Sequence, residues 1–183
     1  MDCKSSSTKQ RIAEYTLRSF PFSADARSRV LILGSMPGGE SLRQQQYYAH
    51  PQNLFWHFMG EFFGAGRELS YQDRLEKLKS SGVALWDTAR SCLREGSLDN
   101  NIKNAQPNDF DCLLRAAPNI HSIFFNGRKA AELFRKLAAC KFPQTQRIEQ
   151  ITLPSTSPAN ASIPYEKKLA AWRTVLEAAK RGR

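Results

Sequence analysis

A chain of 183 residues suits one domain with a full hydrophobic core. Its apolar and charged fractions are those of a soluble globular protein, no apolar run approaches the length of a membrane span, and the N-terminal stretch MDCKSSSTKQRIAEY lacks the apolar middle of a secretory signal, so an intracellular protein is expected. Lys and Arg outnumber Asp and Glu by 27 to 17, a formal charge of +10 that fits either a solvated basic surface or a polyanionic partner such as nucleic acid.

Along the chain, a helix is expected near residues 6–18, followed by the apolar run RVLILG (29–34), which has the length and β-branched content of a strand. In NLFWHFMGEFF, Leu54, Phe58 and Phe62 form one row at helical spacing and Phe55, Met59 and Phe63 the row beside it. SYQDRLEKLKSSG is a second helix, with Leu75 and Leu78 on one side and Gly82 as its stop. GVALWD (82–87) is a strand, PNDFDCLLRAA a helix ended by Pro118, IHSIFFNG (120–127) a strand and GRKAAELFRKLAA a helix. RIEQITLP (147–154) is placed as the fourth strand by its position, and PYEKKLAAWRTVLEAAKR closes the chain as a helix.

Strands alternating with helices predict an α/β fold with a parallel sheet between helical layers. In open sheets of this kind ligands bind beyond the carboxyl ends of the strands. Here those ends carry Gly34–Gly39, Asp87–Thr88, Asn126–Gly127 and Pro154–Asn160, so one crevice is expected to collect all of them.

What that crevice does is less plain from residue types alone. GSMPGG matches neither a P-loop nor a dinucleotide fingerprint, and its glycines fit a simple strand-to-helix turn or a wall of backbone N–H groups facing a ligand. Asn53 precedes an apolar helix and reads as its N-cap; the functional alternative is an amide that orients a water without deprotonating it. Tyr47 and Tyr48 fit the core or a flat face for a heterocycle, and LPSTSPAN fits an inert loop or hydroxyls on a phosphate. His50, His57 and His121 are not paired as ligands; His57, one turn beyond Asn53, is placed to support that amide. Cys3, Cys92, Cys112 and Cys140 lie at wide, irregular gaps without a C-x-x-C pair, so reduced thiols packed as small apolar groups are expected, with no metal and no cofactor.

GSMPGGESL, QQYYAHPQNLFW, GVALWDTARSCLREGSLDNNI, IFFNGRKA and LPSTSPANA together resemble the uracil-DNA glycosylase superfamily, and within it the hypoxanthine-DNA (deoxyinosine) glycosylase branch, from residue 29 to about 175. The resemblance implies a three-layer α/β/α sandwich on a four-stranded parallel sheet, and metal-free, monofunctional hydrolysis of an N-glycosidic bond in a flipped nucleotide. The chain is then one domain, residues 1–183, with its core at 29–183 and 1–28 as a helical N-terminal extension.

By the same resemblance Tyr48 stacks on the flipped base, and Asp87 and Asn126 hold its edge beside Gly34, Ser35 and Met36. Several members carry an acid or amide inside the first motif where this chain has Met36, which cannot position water; in the hypoxanthine branch that role falls to the asparagine that is Asn53 here. Ser155, Thr156, Ser157 and Asn160 match the loop that grips phosphate and fills the emptied stack. Leu153 stands where relatives often have a histidine or asparagine before Pro-Ser, which weights hypoxanthine over uracil.

The chemistry agrees with that order. Both bases are lactams, with a ring N–H beside a carbonyl. An Asp87 carboxylate accepting that N–H would be left unpaired by an undamaged base, at about 1–3 kcal/mol. Asp87 also reads as an N-cap or a paired acid at a strand end. The resulting expectation is a monomer acting on DNA that contains deaminated bases, in the cytoplasm or nucleoid of a prokaryote. A small-molecule nucleoside or nucleotide hydrolase and a catalytically inactive DNA-binding relative are the alternatives.

Overall fold

The computed structural model describes residues 16–181. In chain order the elements are β1 (Thr16–Arg18), β2 (Val30–Gly34), α1 (Gly39–Gln44), α2 (Phe55–Phe63), α3 (Tyr71–Ser80), β3 (Val83–Asp87), β4 (Ala89–Leu93), β5 (Lys103–Pro107), α4 (Phe110–Ala116), β6 (Ser122–Asn126), α5 (Arg128–Leu137), β7 (Glu149–Leu153) and α6 (Tyr165–Lys180). Short 3-10 turns lie at Asp99–Asn101, Pro143–Arg147 and Pro158–Asn160.

The runs VLILG, VALWD and SIFFN are buried along their whole length, as strands covered on both faces must be. They form a four-stranded parallel sheet in the order β3-β2-β6-β7. The edge strand β7, EQITL, is partly exposed and more polar. Gly34 pairs in register with Asp87, and Asn126 with Leu153, so the four strand ends share one edge of the sheet.

The helices cover both faces and complete the α/β/α sandwich. In α2, Phe55, Trp56, Phe58 and Met59 are fully buried, and Phe55 and Phe58 meet Trp172 of α6 at ring-centroid distances of 5.9 and 6.0 Å. Burying each such side chain contributes about 1.5–3 kcal/mol, so this seam is a main source of stability. On the other face Phe134 of α5 packs against Phe125 of β6 and Phe110 of α4, at 5.1 and 5.2 Å. Ser70 caps α3 by accepting from the Asp73 N–H, and Asp109 caps α4 by accepting from the Cys112 N–H. Gly82, at φ +83°, stops α3 and turns the chain into β3.

Three regions differ from the sequence expectations. Residues 16–18 are a strand rather than the end of a helix, because β1 pairs antiparallel with β4; residues 6–15 of that expected helix lie outside the described residues. β4 in turn pairs with β5, giving a second sheet in the order β1-β4-β5. Its strands are short, partly exposed and irregular in register, so they carry no clean alternation to read. Residues 20–24 are integrated into the core: Phe20 and Phe22 pack on it, Trp86 Nε1 donates to the Phe20 carbonyl at 3.0 Å, and Ser23 bridges Leu85. Among the thiols, Cys92 is buried, whereas Cys112 and Cys140 are exposed rather than packed.

Candidate active site

The floor of the crevice is built where β2 and β3 end side by side. Asp87 is 3% exposed; its Oδ2 accepts from Ser19 Oγ at 2.8 Å and its backbone carbonyl accepts from Asn108 Nδ2 at 2.8 Å. Burial pushes its carboxyl up to about 7; the Ser19 hydroxyl opposes the shift, the nearby charge of Asp99 adds to it, and Arg94 works against it. A Cβ at Gly34 would lie 2.4 Å from Asp87 Oδ1 and 3.3 Å from the Tyr48 hydroxyl. Glycine is needed there for close approach, not for its backbone angles. The paired-acid reading of Asp87 is thus realised at one oxygen, while the other faces Gly34.

Tyr48 adopts φ +53°, unusual for a non-glycine residue, and its ring stacks on Phe55 at 3.9 Å and 22°. Phe55 covers one face of the ring, and the residue as a whole is half-buried. Its hydroxyl is buried near the Asn126 side chain without a well-formed hydrogen bond; burial raises its pKa and Asn126 opposes the rise, so the phenol stays neutral. The strained turn is held from outside: Trp56 Nε1 donates to the Tyr47 carbonyl at 2.7 Å, and Arg67 Nη2 to the His50 carbonyl at 2.7 Å. Tyr47 is core, with its hydroxyl on the Pro21 carbonyl at 3.2 Å.

Asn53 is engaged at one end of its amide. Its Oδ1 accepts from the Phe55 N–H at 3.0 Å, which starts α2 in the way a cap does. Its Nδ2 makes no hydrogen bond among the described residues, so one end of the amide is fixed and the other is free. His57 does not support this amide; its Nε2 pairs with the Tyr165 hydroxyl at 2.8 Å.

The loop after β7 is anchored by Asn126, whose Oδ1 accepts from the Thr156 N–H at 2.9 Å and whose Nδ2 donates to Thr156 Oγ1 at 2.8 Å. Leu54 N–H donates to the Thr156 carbonyl, Trp172 Nε1 to the Pro154 carbonyl and Lys168 Nζ to the Asn160 carbonyl. Two expectations change here. Thr156 is fully buried, so it anchors the loop and leaves Ser155, Ser157 and Asn160 as the partly exposed polar positions. Asn126 retains only one amide N–H and one carbonyl lone pair beyond these two bonds.

Met36 is also displaced from its expected place beside a base. It is 5% exposed and packs with Ala89 and Cys92 under the small sheet. The carbonyls of Gly34 and Ser35 accept from the N–H groups of Thr88 and Ala89, so the first motif is stitched to the start of β4.

Further residues of the site come from the connection between β4 and β5, which folds over the glycine loop. Arg94, 7% exposed, donates from Nη2 to the Pro37 carbonyl at 2.5 Å and from Nε to the Gly96 carbonyl at 3.1 Å, while its Nη1 is buried and unpartnered. Gly39 N–H donates to Ser97 Oγ at 3.0 Å. Asp99, partly buried, lies beside Ser35; burial raises its pKa, and the Ser35 hydroxyl, Arg94 and Lys129 oppose the rise. The sequence signal for this loop is only the turn string REGSLDN, which does not say where the turn folds. Among the described residues no three His, Cys, Asp or Glu come together as metal ligands.

The sequence profile of the uracil DNA glycosylase superfamily matches residues 20–180. A Methanosarcina acetivorans protein named hypoxanthine DNA glycosylase is 37% identical over 159 residues, which is 86% of this chain and 96% of that protein. A Methanosarcina barkeri protein of the same name is 42% identical over 116 residues, 63% of this chain and 73% of its relative. A solution NMR structure from M. acetivorans, provisionally described as a uracil DNA glycosylase, superposes with a TM-score of 0.75 at 34% identity, covering 91% of this chain and 99% of that one. With the family pattern running from Phe20 to the end of α6, and the fold shared with a protein one-third identical, the chain belongs to the uracil DNA glycosylase superfamily.

Proposed function

We propose that this protein is a monofunctional DNA glycosylase that hydrolyses the N-glycosidic bond of deaminated bases, hypoxanthine before uracil, as a monomer on the DNA of the cell interior. The observation that carries this reading is the divided amide of Asn53: Oδ1 is fixed on the Phe55 N–H and Nδ2 is open, a rigid donor able to hold one water in place. Similarity to two proteins named hypoxanthine DNA glycosylase supports the choice of base.

In this mechanism the nucleotide leaves the duplex and its base enters between the Tyr48 ring and the strand ends. Asp87, with a carboxyl near neutrality, meets the ring N–H and carbonyl edge, aided by the remaining N–H of Asn126. The bond between the sugar carbon and the base nitrogen breaks with its electron pair going to the base. The sugar carbon becomes cationic and is stabilised by the flanking phosphates. The water on Asn53 then adds to that carbon, releasing a proton and leaving an abasic site. Ser155, Ser157 and Asn160 hold the backbone.

The test is excision from labelled duplexes carrying one hypoxanthine or one uracil, with alkali to reveal abasic sites. Asn53→Ser keeps the helix cap and removes the amide N–H, so it should stay folded while single-turnover release falls about 100-fold or more. Release that survives in this variant moves catalysis elsewhere. A parent that binds duplex and releases neither base fits the inactive relative instead.

A further inference from the structure

Four backbone carbonyls of the segment that carries Tyr48 and Asn53 converge on one guanidinium. Arg67 Nη2 lies 2.7 Å from the His50 carbonyl oxygen, 3.3 Å from that of Tyr48 and 3.4 Å from that of Asn53, and Nη1 lies 3.5 Å from that of Ala49. Nη2 has two hydrogens for three acceptors, so its donation is shared, strongest to His50 and weaker to the others. A cation at this point also offsets the mutual repulsion of carbonyl oxygens aimed at one centre.

Arg67 comes from the connection between α2 and α3, which folds back along α2. Ala65 is fully buried and its N–H donates to the Met59 carbonyl at 3.1 Å, while a Cβ at Gly60 would lie 2.9 Å from Gly66 Cα. This close approach of two backbones delivers Arg67 to the segment that precedes α2. Its charge has no carboxylate partner there, since Arg67 makes no ion pair among the described residues. Part of the group is withdrawn from water, which lowers its pKa. An arginine serving only as surface charge would keep its head in solvent.

The bonds tie two candidate site residues to one point. The His50 carbonyl also accepts from the Asn53 N–H at 2.9 Å, so Arg67 holds Asn53 both at its own carbonyl and through His50. The side chain of Asn53 is fixed in turn on the Phe55 N–H. Tyr48, at φ +53°, is held by its carbonyl at the other end of the same grip.

Resting on the glycosylase reading, we propose that Arg67 is a positioning residue: by gripping the carbonyls of residues 48, 49, 50 and 53 it sets the spacing between the base site at Tyr48 and the water-holding amide of Asn53. It acts through the backbone and touches neither base nor water. Its effect therefore falls on the rate of bond breaking and capture. A phosphate contact, the competing role for an arginine in a DNA-binding protein, would instead affect binding.

Arg67→Met keeps the stem and removes the charge and donors, whereas Arg67→Lys keeps a cation with three donors. On duplex carrying one hypoxanthine, Arg67→Met should lower the single-turnover rate at saturating enzyme about 10- to 100-fold and leave the duplex dissociation constant within about 3-fold; Arg67→Lys should recover part of the rate. In an Asn53→Ser background, where the amide is already gone, Arg67→Met should cost no more than about 2-fold further. Amide hydrogen exchange at Asn53 and Phe55 should quicken about 10-fold in Arg67→Met, with the β2 amides unchanged. An unchanged saturating rate or unchanged exchange overturns the proposal. Weaker duplex binding with the rate intact overturns it too, and makes Arg67 a phosphate contact. A full further loss in the Asn53→Ser background, or faster exchange throughout β2, shows that Arg67 does not act through Asn53 and equally overturns it. A parent that releases no base overturns the glycosylase reading, and the role given to Arg67 with it; an active parent confines any failure to Arg67.

Discussion

Asp87 is a strand-end acid whose type and place are written in the sequence and whose state is not. Position marked it as a strand-end acid at the crevice; burial, which no motif states, decides its protonation. Its usual carboxylate value of 3.8 is raised to about 7 in the folded protein. Between those values the unfolded chain has released the proton and the folded protein retains it, so stability falls as pH rises from about 4 to about 7, by on the order of 4 kcal/mol at full ionisation. Asp87→Asn removes that slope. Thermal melts from pH 4.5 to 7.5 should show the variant gaining on the parent as pH rises, and a constant difference would mean that Asp87 is not the group responsible. Asn53 was equally legible by type, yet only the geometry shows that capping occupies one end of its amide and leaves the other free.

At the scale of elements, the long apolar runs announced themselves and the loops did not. β2, β3 and β6 are continuous buried runs, which the pattern of residues carries directly. β1, β4 and β5 depend on pairing across many residues, and nothing local in LREGSLDN states that this turn lies over the glycine loop. The loop after β7 was recognised, but the anchor that shapes it was not. Asn126 and Thr156 exchange two hydrogen bonds across 30 positions in the chain. Thr156→Val keeps the shape and removes the hydroxyl, leaving an Asn126 N–H unpaired in a buried site at about 1–3 kcal/mol. A lower melting temperature, with weaker duplex binding by fluorescence anisotropy, is expected; no change in either would show that the pair does not hold the loop.

The whole molecule carries a formal charge of +10 and no helix among its described residues that is long and apolar enough to cross a membrane. If the basic surface binds the DNA backbone, each phosphate neutralised releases counterions, and the logarithm of the binding constant should fall with the logarithm of salt concentration at a slope of roughly −3 to −6. A titration of duplex binding against salt reads this directly. A flat response, with hydrolysis of free inosine, would favour the small-molecule hydrolase over a glycosylase.

By itself the sequence determined the alternation of strands and helices and the sheet edge at which Gly34, Asp87 and Asn126 meet, and it singled out Asn53, Tyr48 and Asp87 as candidates there. These are legible because hydrophobic periodicity, chain order and residue type are local properties, written where they act. Tertiary structure alone decided which polar atoms are already engaged: Thr156 and much of Asn126 on each other, Met36 in a second small core, Asn53 at one end only. It also brought Arg94, Ser97 and Asp99 to the rim. Those outcomes depend on burial and on contacts between distant segments, which exist only once the chain has folded.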